Sequence, residues 1–444
     1  MLEAWKNPEH LKNIVADILA EAAKQGASAA EVDVGLNKGF SVTSRMGDVE
    51  SVEYNQDKII EITVYFGQRT GSASLSDFRI DAIRSAVQAA CNIARFGDKD
   101  EYAGLADKAL LAFQYPDLDL LFPWDITVEQ AIALTLECEG IALGKDKRIT
   151  NSEGATLSTT AGWHAYGNSH GFIGMYGASR HDMGCSLIAQ EKDDMQRDYN
   201  YTVSCDSKLL ESIDWVANTA AEKTVRRLGA RQLTTRKAPV IFAAEEARGF
   251  LGHFVAAISG GNLYRKTSFL LDQLGKPIFP AHIKIDERPH LLKSLGSAPF
   301  DENGVATRPN VFIENGILQS YCLGVYSARK LGMQTTGNAG GVHNLYINTG
   351  KKDLSALLKT MDTGLLVTDL LGNGINLVTG DYSRGAIGFW VEGGKIQYPV
   401  EEITIAGNLR DMYAQLVEIG ADVDKRGNIQ TGSILIENMT IAGN

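Results

Sequence analysis

A histidine on a predicted helix, with carboxylates and an arginine nearby, is the first feature of this sequence that could do chemistry. The residues are Glu245, Glu246, Arg248, Gly249 and His253. In the HExxH arrangement, two histidines at i and i+4 share a helix face and bind zinc, while a glutamate acts as general base. Here Gly249 stands at the i−4 position of His253, and Arg248 cannot bind a cation because a guanidinium has no acceptor lone pair. We therefore interpret His253 as a hydrogen-bonded packing residue.

The helix that positions His253 is predicted from the spacing of its apolar residues. These residues recur at three- and four-residue intervals, as on one face of a helix, and they are Phe250, Phe254, Val255 and Ile258. Ser259–Asn262 contains a pair of glycines and predicts the helix end, because glycine adopts the left-handed conformation without a Cβ clash. The apolar run Pro239–Phe242 before the helix predicts a buried strand.

A basic pair follows the predicted end of this helix. Arg265 and Lys266 lie just beyond the glycines. Two cations there would complement the helix dipole, which is a structural role. The functional alternative is a basic rim that holds a peptide carboxylate or contacts a partner.

A second polar group lies between glycines in a predicted turn. It comprises Asp381, Tyr382, Ser383 and Arg384. Such a turn can be internally hydrogen-bonded, or it can line a cleft. His343 could serve as base to Ser383 or to Cys322 as nucleophile, but no GxSxG motif or order of triad residues supports that pairing.

Composition limits the class of protein. The chain has 444 residues, a formal net charge of −11 and a pI near 5.3, and its basic residues are scattered. This argues against a protein that binds the phosphate backbone of a nucleic acid. Five widely spaced cysteines without a CxxC pair are typical of reduced thiols in a cytosolic chain. No signal peptide or membrane span is predicted, so we expect a cytoplasmic location without membrane contact.

The predicted fold class is α+β, with two helix–β-meander–helix N-terminal units followed by a β-rich C-terminal domain. We place the domain boundaries at residues 1–115, 116–235 and 236–444. The segment Asp98–Asp125, which contains two prolines, is predicted to be a linker. The helices predicted in the two N-terminal units are Pro8–Gln25, Arg79–Arg95, Thr127–Leu143 and Asp214–Leu228. Those predicted in the C-terminal domain are Glu245–Ser259, Asp353–Asp362 and Leu409–Gly420.

Three long motifs carry a resemblance to a known family. They are GHFVAAISGGNLYRKTSFLLDQLGKPIFP at Gly252–Pro280, TGNAGGVHNLYI at Thr336–Ile347, and TGDYSRGAIGFWVEGGKIQYPVEEITIAGNLRDM at Thr379–Met412. Together they closely resemble the PmbA branch, also called TldE, of the TldD/PmbA family. The resemblance extends over nearly the whole chain and is densest from about Pro239 to the end.

The resemblance implies a division of labour between two related subunits. TldD subunits carry an HExxxH motif, which falls here on Arg248–His253, so the second histidine alone is kept. They also supply a cysteine ligand near the C-terminus, and the corresponding region Gly427–Gly432 has no cysteine. The resemblance thus implies a metallopeptidase subunit that has no catalytic or metal-binding residues of its own. Such a subunit is expected to be inactive without its partner. Zinc is expected in a TldD-like partner.

On this hypothesis, the chain and a TldD-like subunit form a heterodimer. The heterodimer degrades unfolded peptides and processes peptide precursors. This chain would shape the substrate chamber, and the residues placed at the substrate or the interface are His253, Arg265, Lys266, His343, Asp381, Tyr382, Ser383 and Arg384. A homodimer in isolation is also expected to be possible, since a surface built for a related subunit can pair with itself.

Two alternatives from other classes stay open at this point. The chain could be a homo-oligomeric hydrolase with its own site around His253 and His343. It could also be a non-enzymatic regulator, because the family has been named as a modulator of DNA gyrase. The acidic net charge offers no surface for DNA in that second case.

Overall fold

The structure, a computed structural model, describes residues 7–443. Within that range the N-terminal half forms one antiparallel six-stranded sheet with the order β3-β2-β1-β4-β5-β6. Helices cover one face of the sheet. The elements in chain order are α1 (Glu9–Lys24), β1 (Ala29–Arg45), β2 (Asp48–Phe66), β3 (Arg69–Leu75), α2 (Ile80–Phe96), α3 (Val128–Gly144), β4 (Ile149–Asn168), β5 (Ile173–Glu191), β6 (Asp194–Ser204) and α4 (Ile213–Val225).

Alternation along β1 decides which face of this sheet is covered. Val32, Val34 and Val42 are buried, and they pack against the helices in two apolar clusters, one for each helix pair. The residues that alternate with them, including Glu31 and Asp33, point to the face without helices, as the two-residue period of a strand requires. That second face is free to form a polar wall.

The predicted helix–strand–helix plan is confirmed in both N-terminal units, but the units share a sheet. Strand β1 pairs antiparallel with β4, from Glu31↔Asn168 to Ser44↔Ala155. A capping box opens α3, since the Thr127 side chain accepts from the Gln130 N–H and Gln130 Oε1 accepts from the Thr127 N–H. The domain boundaries at 115 and 235 stay predictions.

The segment predicted as a linker is packed against both halves. Ala106, Leu111 and Ala112 are buried in one cluster with Phe172 of the N-terminal half and Val305 of the C-terminal half. Sequence alone could not show this, because two prolines and a short apolar run look the same in a free and in a packed connection. The segment therefore fixes one half against the other.

The C-terminal half is β-rich, as predicted. A six-stranded sheet has the order β14-β13-β12-β7-β17-β15, and β14 also pairs with β17. A second sheet has the order β10-β9-β8-β11-β16. The elements are β7 (Arg236–Phe242), α5 (Ala244–Ile258), α6 (Gly260–Tyr264), β8 (Ile285–Glu287), β9 (Asn310–Glu314), β10 (Ile317–Leu318), α7 (Val325–Lys330), β11 (Leu345–Ile347), α8 (Leu354–Met361), β12 (Gly364–Leu371), β13 (Asp381–Glu392), β14 (Lys395–Asn408), α9 (Leu409–Ala414), β15 (Leu416–Ile419), β16 (Ile429–Gln430) and β17 (Ile434–Ala442).

Two local predictions in this half are wrong. The helix expected over Leu409–Gly420 ends at Ala414 and is followed by β15, whose edge pairing with β17 outweighs the helical spacing. The glycines after α5 are not left-handed, since the chain leaves the helix at Ser259 in an extended conformation and Gly260 begins α6. Gly260 is required by packing, because a Cβ there would lie 2.2 Å from Ser327 Oγ. In the described range no helix is long and apolar enough to cross a membrane.

Candidate functional site

A cavity of about 500 Å³ lies between the helix-free face of the N-terminal sheet and the loops of the C-terminal half. Strands β4 and β5 supply one wall, and loops near β8, β11 and β16 supply the other. His164, Tyr176 and Arg180 lie on the sheet wall, and Glu302, His343 and Gly427 lie on the loop wall. Clefts between domains are common places for ligands to bind.

The sheet wall presents ordered polar groups. His164 Nε2 lies 2.5 Å from Asp33 Oδ2, and cross-strand alignment puts both side chains on the helix-free face. Burial, with the carboxylates of Asp33 and Glu302 nearby, raises the pKa of Tyr176 to about 12. Tyr176 is therefore a neutral hydroxyl at pH 7 that can donate a hydrogen bond into the cavity.

His343 lies on the loop wall as a neutral imidazole. Its backbone N–H donates to Glu287 Oε2 at 2.9 Å, and burial lowers the pKa of its side chain to about 4. Within residues 7–443 its Nε2 atom has no hydrogen-bond partner. Cys322 is buried and the pKa of its thiol is raised by burial and by Glu287, whereas Ser383 is exposed on β13. Across the residues that the structure describes, His343 forms no side-chain hydrogen bond with Cys322 or Ser383, the two nucleophiles considered from the sequence.

An arginine of helix α5 is bound to residues next to the loop that lines the cavity. Arg248 Nη2 donates to Tyr201 Oη at 3.1 Å, and its Nε lies 3.4 Å from Asp424 Oδ2. Arg426 binds the same carboxylate at 3.0 Å and also binds Glu245 at 2.7 Å. A Cβ built on Gly427, which lines the cavity, would lie 3.2 Å from Arg248 Nη1. The start of α5 is therefore held against the C-terminal loop by ion pairs.

The side chains around Arg248 and His253 do not fit a metal ion. Burial and the charge of Arg384 lower the pKa of His253 to about 4, and its Nε2 finds no hydrogen-bond partner in the described chain. A neutral imidazole could ligate, but Arg248 and Gly249 offer no donor one turn earlier. Among residues 7–443, no group of three or more histidine, cysteine, aspartate and glutamate side chains could hold a metal.

The four polar residues predicted as a turn belong instead to the start of strand β13, and its alternation separates them. Tyr382 is buried, and its ring centroid lies 6.0 Å from that of His253. Arg384 is on the same side and donates from Nη2 to the Leu370 carbonyl at 3.0 Å. Asp381 and Ser383 are exposed on the other side. The structure thus brings His253, Tyr382 and Arg384 together.

The basic pair lies outside these clusters. Arg265 and Lys266 are exposed, and the Arg265 guanidinium lies over the Tyr264 ring at 5.2 Å. Neither residue lines the cavity beside His164. Their role at a substrate or partner surface stays a prediction.

The sequence alone assigned no separate role to the carboxyl group of Glu246. Burial, with the carboxylates of Asp369 and Glu245 nearby, raises the pKa of Glu246 to about 7. The sequence shows adjacent glutamates, but only the fold brings Asp369 of β12 to one of them. Asp33 and Arg180 were also not indicated by the sequence, because strand alternation does not say which face of a sheet borders a cavity. Glu302 lies in a loop whose position depends on how the two halves meet.

Comparison with known proteins identifies the class. Residues 30–94, 122–228 and 235–443 match, in order, PmbA/TldA metallopeptidase domain 1, central domain and C-terminal domain. These matches place the chain among the metallopeptidase-family proteins. Within that class the chain belongs to the PmbA/TldD family, as its motifs indicated.

Individual relatives support the same assignment. The chain is 50% identical over 437 residues to the protein named Metalloprotease PmbA homolog of Haemophilus influenzae, covering 98% of this chain and 97% of that one. A crystal structure from Bacteroides thetaiotaomicron, of a protein named for a proposed role as modulator of DNA gyrase, superposes with a TM-score of 0.92 at 26% identity, covering 98% of this chain and 99% of that chain. TldE from Thermococcus kodakarensis shares the fold, with a TM-score of 0.83 at 21% identity over 97% of this chain and all of that one.

Proposed function

We propose that this chain is the PmbA/TldE-type subunit of a two-subunit zinc metallopeptidase, and that it shapes the substrate chamber. A TldD-like partner would hold the zinc and the general base. The observation that carries the proposal is the position of Arg248, whose guanidinium is bound to Asp424 and Tyr201 at the place that the family motif gives to a zinc-binding histidine.

The electrostatics of α5 favour this division. A positively charged arginine held by a buried carboxylate opposes a divalent cation at the same place. His253 is kept neutral, but it packs on Tyr382 and beside Arg384 instead of facing further donors. No step of zinc chemistry is therefore assigned to residues of this chain.

The chain would contribute a polar surface for peptides. The cavity of about 500 Å³ is lined by uncharged donors and acceptors as well as charges, among them Tyr176, Ser297 and Asn428. Such groups can bind the backbone of an extended peptide whatever the sequence of that peptide. A folded protein cannot enter a cavity of this size, so unfolded peptides are the substrates we expect.

The test is peptide hydrolysis with metal analysis, using an unfolded peptide and three samples. These are the full chain alone, a TldD-like subunit alone, and the two mixed. We expect hydrolysis in the mixture alone, zinc bound to the TldD-like subunit, and a complex of the two in size-exclusion chromatography with light scattering. Bound zinc and chelator-sensitive hydrolysis in this chain by itself would overturn the proposal and favour a homo-oligomeric hydrolase.

A further inference from the structure

The charged residues that line the cavity between the two halves divide into engaged and unengaged groups. Arg426 is bound to Asp424 and Glu245. Asp301 accepts from three backbone N–H groups, those of Asn303, Val305 and Ala339. Their charges are satisfied inside the protein and are not offered to a ligand.

Arg180 and Glu302 are the unengaged pair. Both are exposed to the cavity, and in the described part of the chain neither side chain forms a hydrogen bond or an ion pair. Asp182, two residues along the same strand, is near enough to feel the charge of Arg180 but forms no ion pair with it. One free guanidinium and one free carboxylate therefore face the same cavity.

The two charges stand at different ends of the cavity. Glu302 follows Phe300 by two residues, and the Phe300 ring centroid lies 5.4 Å from that of Tyr176, so the loop that carries Glu302 packs at the Tyr176 end of the sheet wall. Arg180 follows Tyr176 by four residues on β5, which is about 13 Å along a strand. The end near Glu302 also contains the Asp33–His164 pair. The cavity thus has an acidic end and a basic end on opposite walls.

From this arrangement we infer that the cavity binds short free peptides by both charged ends, with the α-carboxylate on Arg180 and the α-ammonium on Glu302. An extended chain spans about 3.3–3.6 Å per residue, so a peptide of about four residues covers the length of strand between Tyr176 and Arg180. An arginine can hold a carboxylate in a bidentate pair, which gives both affinity and orientation. The inference rests on the proposed function and adds to it the length and the end groups of the bound peptide.

The test is isothermal titration of the full-length chain with tetra-alanine. Three forms are compared: the free peptide, the N-acetylated peptide and the C-terminal amide. We expect the free peptide to bind best, and the loss of either end charge to weaken binding about tenfold, as for one charged hydrogen-bonded contact. Equal binding of all three forms, or no binding of the free form, would overturn the inference without any mutation.

Variants then assign each end. Arg180→Gln should weaken binding of the free and acetylated peptides about tenfold and leave binding of the amide unchanged. Glu302→Gln should affect the free and amidated peptides and leave the acetylated one unchanged. Lys351→Gln and Glu437→Gln, which remove the same charges at exposed positions outside the cavity, are the matched controls and should bind like wild type. An Arg180→Gln protein that binds all forms like wild type would contradict the assignment.

The result is separable from the test of the proposed function. Peptide binding to this chain needs no partner and no zinc, whereas hydrolysis needs the mixture with a TldD-like subunit. An active mixture combined with equal binding of capped and free peptides would overturn the end-recognition inference alone. An inactive mixture would overturn the proposed function even if tetra-alanine binds as expected.

Discussion

Arg248 Nε on helix α5 lies 3.4 Å from Asp424 Oδ2 in the loop before β16. The Asp424 side chain is 4% exposed and that of Arg248 is 24% exposed, so the carboxylate depends on nearby cations for its charge. Arg426 provides the second one. This contact ties the helix of His253 to the loop that lines the cavity.

The first prediction concerns that contact. Arg248→Met keeps the length of the side chain but removes its charge, and we expect it to lower the free energy of unfolding by about 1–3 kcal/mol. Because Asp424 still contacts Arg426 in this variant, the decrease in the free energy of unfolding should be smaller than for a buried carboxylate left without any cation. Urea denaturation followed by circular dichroism measures the change. In a double-mutant cycle with Asp424→Asn, additive effects would show that the contact contributes nothing.

The second prediction concerns Glu246 and pH. Its pKa is raised from 4.5 to about 7 in the folded protein by burial and by Asp369 and Glu245, with Arg384 and Arg248 opposing. Between these values the folded state binds more protons than the unfolded state, so this group makes stability fall as pH rises from about 4.5 to about 7. Glu246→Gln removes that loss. We expect the variant to be more stable than wild type at pH 8, by up to about 3 kcal/mol.

The measurement is urea unfolding of wild type and variant at pH 5 and pH 8. The gain from Glu246→Gln should fall to below about 1 kcal/mol at pH 5, because the wild-type carboxyl is then largely protonated in the folded protein. Glu437→Gln, at an exposed carboxylate, is the control and should show the same small difference at both values. A gain from Glu246→Gln that does not depend on pH would rule out protonation as its cause.

The sequence predicted helices well and the site poorly, for identifiable physical reasons. Helix α5 was predicted within one residue at each end, because apolar periodicity is local. The role of Gly260 was misassigned, since its packing partner Ser327 is distant in sequence. Arg180 and Glu302 were not found, because their common cavity depends on how two halves of the chain meet. The motifs indicated the family of the protein. They did not indicate the cavity, because the fold builds it partly from residues that lie outside the motifs.

The third prediction follows from Gly260. A Cβ there would lie 2.2 Å from Ser327 Oγ and 2.5 Å from Ser327 Cβ, so Gly260→Ala should cost about 1–3 kcal/mol of stability through overpacking. Gly261→Ala is the matched control, since its Cβ would meet only the mobile end of Arg265, at 3.1 Å. Thermal unfolding of both variants gives the comparison. Adding Ser327→Gly should restore part of the stability of Gly260→Ala, and an equal cost at both glycines would refute the packing argument.

The fourth prediction concerns the joint between the two halves. Arg227, just after α4, lies 2.7 Å from Asp198 of β6 and 3.0 Å from Asp369 of β12. The Arg227 and Asp198 side chains are 4% and 2% exposed, so removing one partner leaves a buried charge. We expect Arg227→Met to cost about 3–5 kcal/mol. Asp369 is 32% exposed, and Asp369→Asn should cost less because water can replace the lost contact.

Urea unfolding of the single variants and of Arg227→Met combined with Asp198→Asn tests this account. The double variant should be more stable than Arg227→Met, because the uncompensated buried carboxylate has then been neutralised. Hydrogen exchange should report faster opening of β6 and β12 in Arg227→Met, the two strands that the guanidinium connects. If Arg227→Met stays within about 0.5 kcal/mol of wild type, as for a surface substitution, the joint is held by the packed segment around Leu111 instead of by these charges.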